Sequence, residues 1–233
     1  MPHTLSAPVR VLLRLFMAWL FLVGLSHSHA QTPAPTLPAG KSSTFVVMQG
    51  FSVDVSRLNP QQQAFITPVL SAQFELIRRA DLPPMLLAFM KTIPLMVDPS
   101  LPVGGTPALF SNGNLSGRGV VKTSLVPIPS DKPVILHEML HAYDWNYWRF
   151  DKPEIQSAYA QAVNQNLYPQ WSGSHFLQNA REFFAVTGTV YLVGRIKQPP
   201  FDCRALAGLQ PDYLKFMENL FGPHPYCNSV DSR

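Results

Sequence analysis

Hydrophobic and polar positions along the chain change their period several times, and each change marks an element. In "TFVVMQGFSVDVS" Phe51, Val53 and Val55 alternate with polar residues, the period of a half-buried strand. "NPQQQAFITPVLSAQFELIRRA" follows with helical spacing. Asn59 is placed to cap it and Pro60 stands at its first position, while Pro68 is expected to shorten or kink it. "TIPLMVDP" holds a short apolar run bounded by prolines, and is read as a strand. From Gly104 to Gly119 the composition turns to Gly, Ser and Asn, which predicts a long loop. "GVVKTSLVPIP" reads as a further strand, the edge along which an extended peptide would pair.

The second half is helical in pattern. "SDKP" offers Ser130 or Asp131 as N-cap, with Pro133 in a first turn, and opens a helix through "VILHEMLHAYDWNYW". Further helices are predicted over about residues 155–166, from near Ser174 through "NAREFFAVTGTVYLV" to Gly194, and from Pro211 to Gly222. Strands early and helices late give an α+β fold, with an edge strand of a small early sheet packed on the helix through residues 133–148.

Composition changes this picture at the ends. Residues 1–30 carry Arg10 and Arg14 but no acidic residue, then an apolar run from Leu15 to Leu25, then Ser28 and Ala30 at signal-peptidase spacing. They read as a secretory signal, too short in its apolar part for the roughly 20 residues of a membrane span. Residues 31–43, "QTPAPTLPAGKSS", read as a flexible lead-in, and 44–233 as one domain. Arg10 and Arg14 are two of the 18 Lys+Arg residues, so the exported chain has 16 against 14 acidic residues, a net of +2. No basic cluster or nucleic-acid motif is present, which argues against a nucleic-acid partner. An exported protein, periplasmic or secreted, with only Cys203 and Cys227 is expected to join them in one disulfide.

The chemistry is concentrated in "HEMLH". Each helical residue turns about 100°, so His137 and His141 project from one face, and two imidazole nitrogens separated by one turn reach a single zinc ion. Glu138 is then placed as general base, the arrangement of zinc peptidases. Asp144, seven positions past His137, returns to the same face and is expected to bond an imidazole or nearby backbone. Two histidines and a glutamate inside an apolar helix need partners, and a cation supplies them. A third ligand must come from elsewhere. Glu154 sits near a turn after Pro153, whereas Glu182, flanked by Phe183 and Phe184 in a helical pattern, is the stronger candidate.

"HEMLHAYDWNY" together with "NAREFFA" resembles the metalloprotease domain of anthrax lethal factor and its relatives, including the clostridial Pro-Pro endopeptidases. The likeness covers about residues 119 to 193. It implies a zincin-like fold of the gluzincin type, with one zinc held by His137, His141 and Glu182, Glu138 activating water, and Asn179 one turn before the third ligand. The family places a tyrosine seven residues before that ligand to steady the tetrahedral intermediate. Here the position is His175, an imidazole able to donate the same bond, with Tyr168 further back as a substitute. The function implied is a zinc-dependent endopeptidase acting on proteins or peptides. The alternatives are a zinc-binding interaction module of little or no activity and a cell-wall-directed amidase. Oligomeric state is not legible.

Overall fold

The computed structural model describes residues 44–102, 106–113 and 117–228. The signal and most of the lead-in lie outside the described residues. The chain begins with a hairpin of β1 (Phe45–Met48) and β2 (Phe51–Asp54), turned at Gln49 and Gly50, both at positive φ. Phe51 and Val53 of β2 are buried, as their alternation requires. Helices α1 (Pro60–Arg79) and α2 (Pro84–Thr92) lead to β3 (Leu95–Val97). The strands β4 (Ala108–Ser111) and β5 (Val120–Thr123) complete a five-stranded sheet of order β1-β2-β3-β5-β4. Pairing is parallel for β2–β3 and β3–β5 and antiparallel at both margins, so the architecture is α+β with a small mixed sheet.

Two sequence expectations fail here. The strand read from "GVVKTSLV" is β5, which lies inside the sheet between β3 and β4. The edge on this side is β4, inside the segment expected to be loop. Its signal was a Pro107-bounded run, "ALFS", closed by Asn112-Gly113, a common hairpin dipeptide. Gly119, at φ +86, lies where a Cβ would overlap the Phe110 ring, so this glycine lets β4 lie against the start of β5. The second failure concerns Pro68, which does not shorten α1. It sits on the exposed face, as does Ala64, whose carbonyl loses its partner to water, while Ile66, Leu70, Phe74 and Ile77 hold the buried face. Asn59 caps α1 as expected, in a reciprocal capping box with Gln62.

Helix α3 (Val134–Trp148) is buried almost all round from Val134 to Ala142. Neither Ser130 nor Asp131 caps it, because Pro133 takes the cap position and no side chain of the local sequence bonds there. Gln73 of α1, fully buried, does so from a distance. Its Oε1 accepts from the Ile135 N–H at 3.3 Å, and its Nε2 donates to the carbonyls of Pro129 and Lys132 at 3.2 and 2.9 Å. Gln73→Leu leaves the buried Ile135 N–H without this partner and takes one of two bonds from each of the Pro129 and Lys132 carbonyls. It should lower stability by about 1–3 kcal/mol in a urea titration, and it should do so without changing the residues of the site.

The C-terminal half is helical: α4 (Pro153–Asn164), α5 (Ala180–Val193), α6 (Cys203–Leu209), α7 (Pro211–Phe221) and α8 (Pro225–Asn228). The helix expected from Ser174 starts later. His175–Leu177 forms a single 3₁₀ turn, and α5 begins after Asn179, whose side chain accepts from the N–H groups of Arg181 and Glu182. Gly194 ends α5 at φ 84. Helices α3 and α5 pack together at Gly188, where a Cβ would stand 3.1 Å from Leu140 Cδ1. Cys203 and Cys227 are joined in a disulfide across 24 residues, consistent with an oxidising compartment. Among the described residues no helix is long and apolar enough to cross a membrane.

Candidate metal centre

Helix α3, the 3₁₀ turn of residues 175–177 and α5 bring three nitrogens and one oxygen together. His137 Nε2 lies 3.1 Å from His141 Nε2. Glu182 Oε2 lies 3.1 Å from His137 Nε2, 3.3 Å from His141 Nε2 and 2.8 Å from His175 Nε2. The histidines of α3 are 9% and 7% exposed, so the cluster is removed from bulk water. Asn179 positions the carboxylate: by capping α5 it fixes Glu182 in the first turn, where the helix dipole favours negative charge.

Ligand atoms of His137, His175 and Glu182 lie within 4.8 Å of one another, a group that could hold a metal ion. His141 meets the same test by its distances to His137 and Glu182. Donors about 2.0–2.1 Å from a tetrahedral zinc stand about 3.3 Å from each other, and the His137, His141 and Glu182 separations of 3.1–3.3 Å match that edge. The unpartnered state of the carboxylate supports a cation as well. Glu182 Oε2 is buried without a hydrogen bond, although three imidazole nitrogens surround it. The carboxylate oxygen and the three ring nitrogens thus crowd one small volume, an arrangement that a cation there would satisfy. The residues present fit a zinc ion.

The electrostatics follow from this crowding. Burial lowers the His137 pKa to about 4, outweighing the help of Glu182, so the ring stays neutral and keeps a lone pair to offer. Burial acts to raise the Glu182 pKa, but His137, His141 and His175 together hold it far below the ordinary carboxylate range. Glu182 raises the His175 pKa, and Gln178 Oε1, 3.1 Å from His175 Nδ1, secures the other side of that ring.

Glu138, which lines the same cleft as His137 and His175, bonds to β4. Burial and the nearby Glu182 charge push its pKa well above the usual value, while the Phe110 N–H, donating to its carboxylate, acts the other way. That N–H is free for the purpose because of strand geometry. Val121 and Thr123 turn their backbone groups to the β3 side, so Val120 and Lys122 serve β4, and Leu109 and Ser111 return those bonds. Ala108 and Phe110 therefore present N–H and C=O off the sheet edge. A cleft of about 530 Å³ opens beside them, with His137, Glu138 and His175 in its lining. The Phe110 ring meets the Phe150 ring at 6.4 Å, and the Arg181 guanidinium stacks on Phe150 at 4.4 Å, tying β4 to the start of α5.

Other candidates are placed elsewhere. Glu154 is half exposed and pairs with Lys152, away from the cluster. Tyr168 is buried but directs its hydroxyl to Gln210 Oε1 at 2.8 Å, so it is no substitute for His175 as a donor. Asp144 does not bond an imidazole: its Oδ1 and the Nδ1 of His137 are both buried without a partner. Its pKa rises to about 7 from burial, with Arg181 opposing. Sequence reading missed Phe110, Gln73 and Gln178. Only Gln178, three residues past His175, lay at a local spacing that suggests contact. No protein-family model, curated protein or solved structure matches this chain.

Proposed function

We propose that the protein is a zinc-dependent endopeptidase whose metal is held by His137, His141 and Glu182. The observation that carries this reading is Glu182 Oε2, buried without a hydrogen bond among three imidazole nitrogens, with Glu138 beside His137 on the lining of the open cleft. A zinc ion there supplies a Lewis acid that polarises a carbonyl and brings the pKa of water to about 7. The chain's own groups do the rest. Glu138, lining the cleft, accepts the water proton and delivers it to the leaving amine. The Phe110 carbonyl, on the half-buried outer margin of β4, is left to pair with the main chain of an extended peptide, since the Phe110 N–H is held by Glu138. His175, 41% exposed and facing the cleft, donates to the oxygen that gains charge. The likeness to lethal factor and the Pro-Pro endopeptidases agrees with these roles, and the signal-like N-terminus with export.

A second reading rests on His175. Its Nε2 belongs to the same ligand group as His137 and Glu182, and four protein ligands would close the site, as in a structural zinc or an interaction module. One experiment tests the proposal: residues 31–233 are assayed for metal by mass spectrometry and incubated with a broad peptide library, before and after a chelator and again with zinc restored. About one zinc per chain is expected, with cleavage lost on chelation and recovered with zinc. Bound zinc with no cleavage of any peptide would favour the closed site.

A further inference from the structure

The cleft has a charge asymmetry that hydrolysis does not require. Two lysines line it, Lys132 and Lys197. Lys197 is committed to an ion pair with Asp131. Lys132 has no ion pair among the described residues, and its exposed side chain rises from a fixed base. Its carbonyl accepts from Gln73 Nε2 at 2.9 Å and from the Val134 N–H at 2.8 Å, which ties it to both α1 and α3. Its charge is felt at His175, so the ammonium stands within electrostatic reach of the cluster. Thr106, Thr189 and Gln198 make the rest of the wall polar but neutral. Glu138 is the acidic group of the lining, and it faces the Phe110 N–H. A bound peptide therefore meets one cation without a counter-charge on the protein.

We propose that Lys132 sets specificity by pairing with a substrate carboxylate beside the scissile bond, either an acidic side chain or a free C-terminus. The inference rests on the peptidase reading for the word substrate, but the carboxylate site is testable without turnover. A charge-assisted contact of this kind, partly open to water, is expected to give about tenfold discrimination.

Blocked hexapeptides drawn from the library hits, or from an arbitrary unstructured series if there are none, are compared as Glu and Gln pairs, each with a free or amidated C-terminus. Zinc-loaded wild type should favour the carboxylate-bearing member about tenfold in kcat/KM. Lys132→Gln should erase that preference, and Lys132→Glu should turn it towards Lys-containing peptides. The amidated arm tells a side-chain carboxylate from a terminal one. In parallel, Glu138→Gln protein is titrated with the same peptides by calorimetry, with and without Lys132→Gln. Tighter binding of carboxylate peptides that depends on Lys132, with no cleavage by wild type, would sink the peptidase reading and keep this one. Cleavage or binding indifferent to the carboxylate, or a preference that survives Lys132→Gln, overturns it.

Discussion

Glu138→Gln is expected to keep its zinc and lose about 10²- to 10⁴-fold in kcat, the usual contribution of a positioned general base. The substitution changes almost nothing else. Glutamine has the same shape, its Oε1 still accepts from the Phe110 N–H, and the proposed ligands His137, His141 and Glu182 are untouched. What goes is the ability to accept a proton. Stability should move the opposite way, which separates a catalytic loss from a folding defect. Burial and Glu182 raise the Glu138 pKa well above 4.5 in the folded chain, so the folded state binds that proton more tightly than the unfolded one. In metal-free wild type this linkage is fully favourable below about pH 4.5 and is lost as pH climbs through the raised folded value. The glutamine variant has no such loss. Its thermal midpoint, measured against wild type from pH 4 to 8 without metal, should gain steadily over that window. A variant that unfolds more easily at neutral pH, or that cleaves the library as wild type does, removes Glu138 from the role.

How much of this was legible in the sequence depends on whether the interaction is local. The strand alternation of Phe51 and Val53, the Asn59 N-cap and the Gly194 and Gly222 stops are decided within a few residues, and the structure has them where they were read. The one-turn spacing of His137 and His141 is also local. Glu182 was reachable because Phe183 and Phe184 beside it mark a buried helix in which an acid needs a cation, although the Asn179 cap that fixes it went unread and the helix was started at Ser174. Long-range features were not legible. That Gln73, sixty-odd positions away, completes the start of α3 cannot be seen from "SDKP", and a local candidate was chosen instead. Edge and interior strands differ in who sits beside them, not in composition. Hence β5, with its apolar "VV", was mistaken for the edge, and the four-residue β4 was lost among glycines and asparagines. Asp144 shows the limit of helical-wheel reasoning: it shares a face with His137 yet stands two turns away, beyond hydrogen-bond reach of the ring.

Glu182→Ala should weaken zinc binding by about 10²- to 10³-fold, a third of the several-ligand free energy of such sites. The helix itself survives the change. Asn179 accepts from backbone N–H groups that alanine retains, and alanine is the best helix former. Loss of metal therefore reports the carboxylate and not a frayed α5. At a zinc concentration 1,000 times the wild-type Kd, a 1,000-fold weaker variant forfeits nearly all of the roughly 4.1 kcal/mol that binding adds to stability, so the zinc-dependent rise in thermal midpoint should all but vanish. His175→Ala decides which three of the four donors act. With His137, His141 and Glu182 as ligands, that variant keeps its zinc, read by competition with a chromophoric chelator, and loses activity through its missing donor. If instead His175→Ala releases zinc while Glu182→Ala holds it, the carboxylate is a neighbour of the site rather than a member of it. The imidazole of the 3₁₀ turn then takes its place, 2.8 Å from where Glu182 was expected to act.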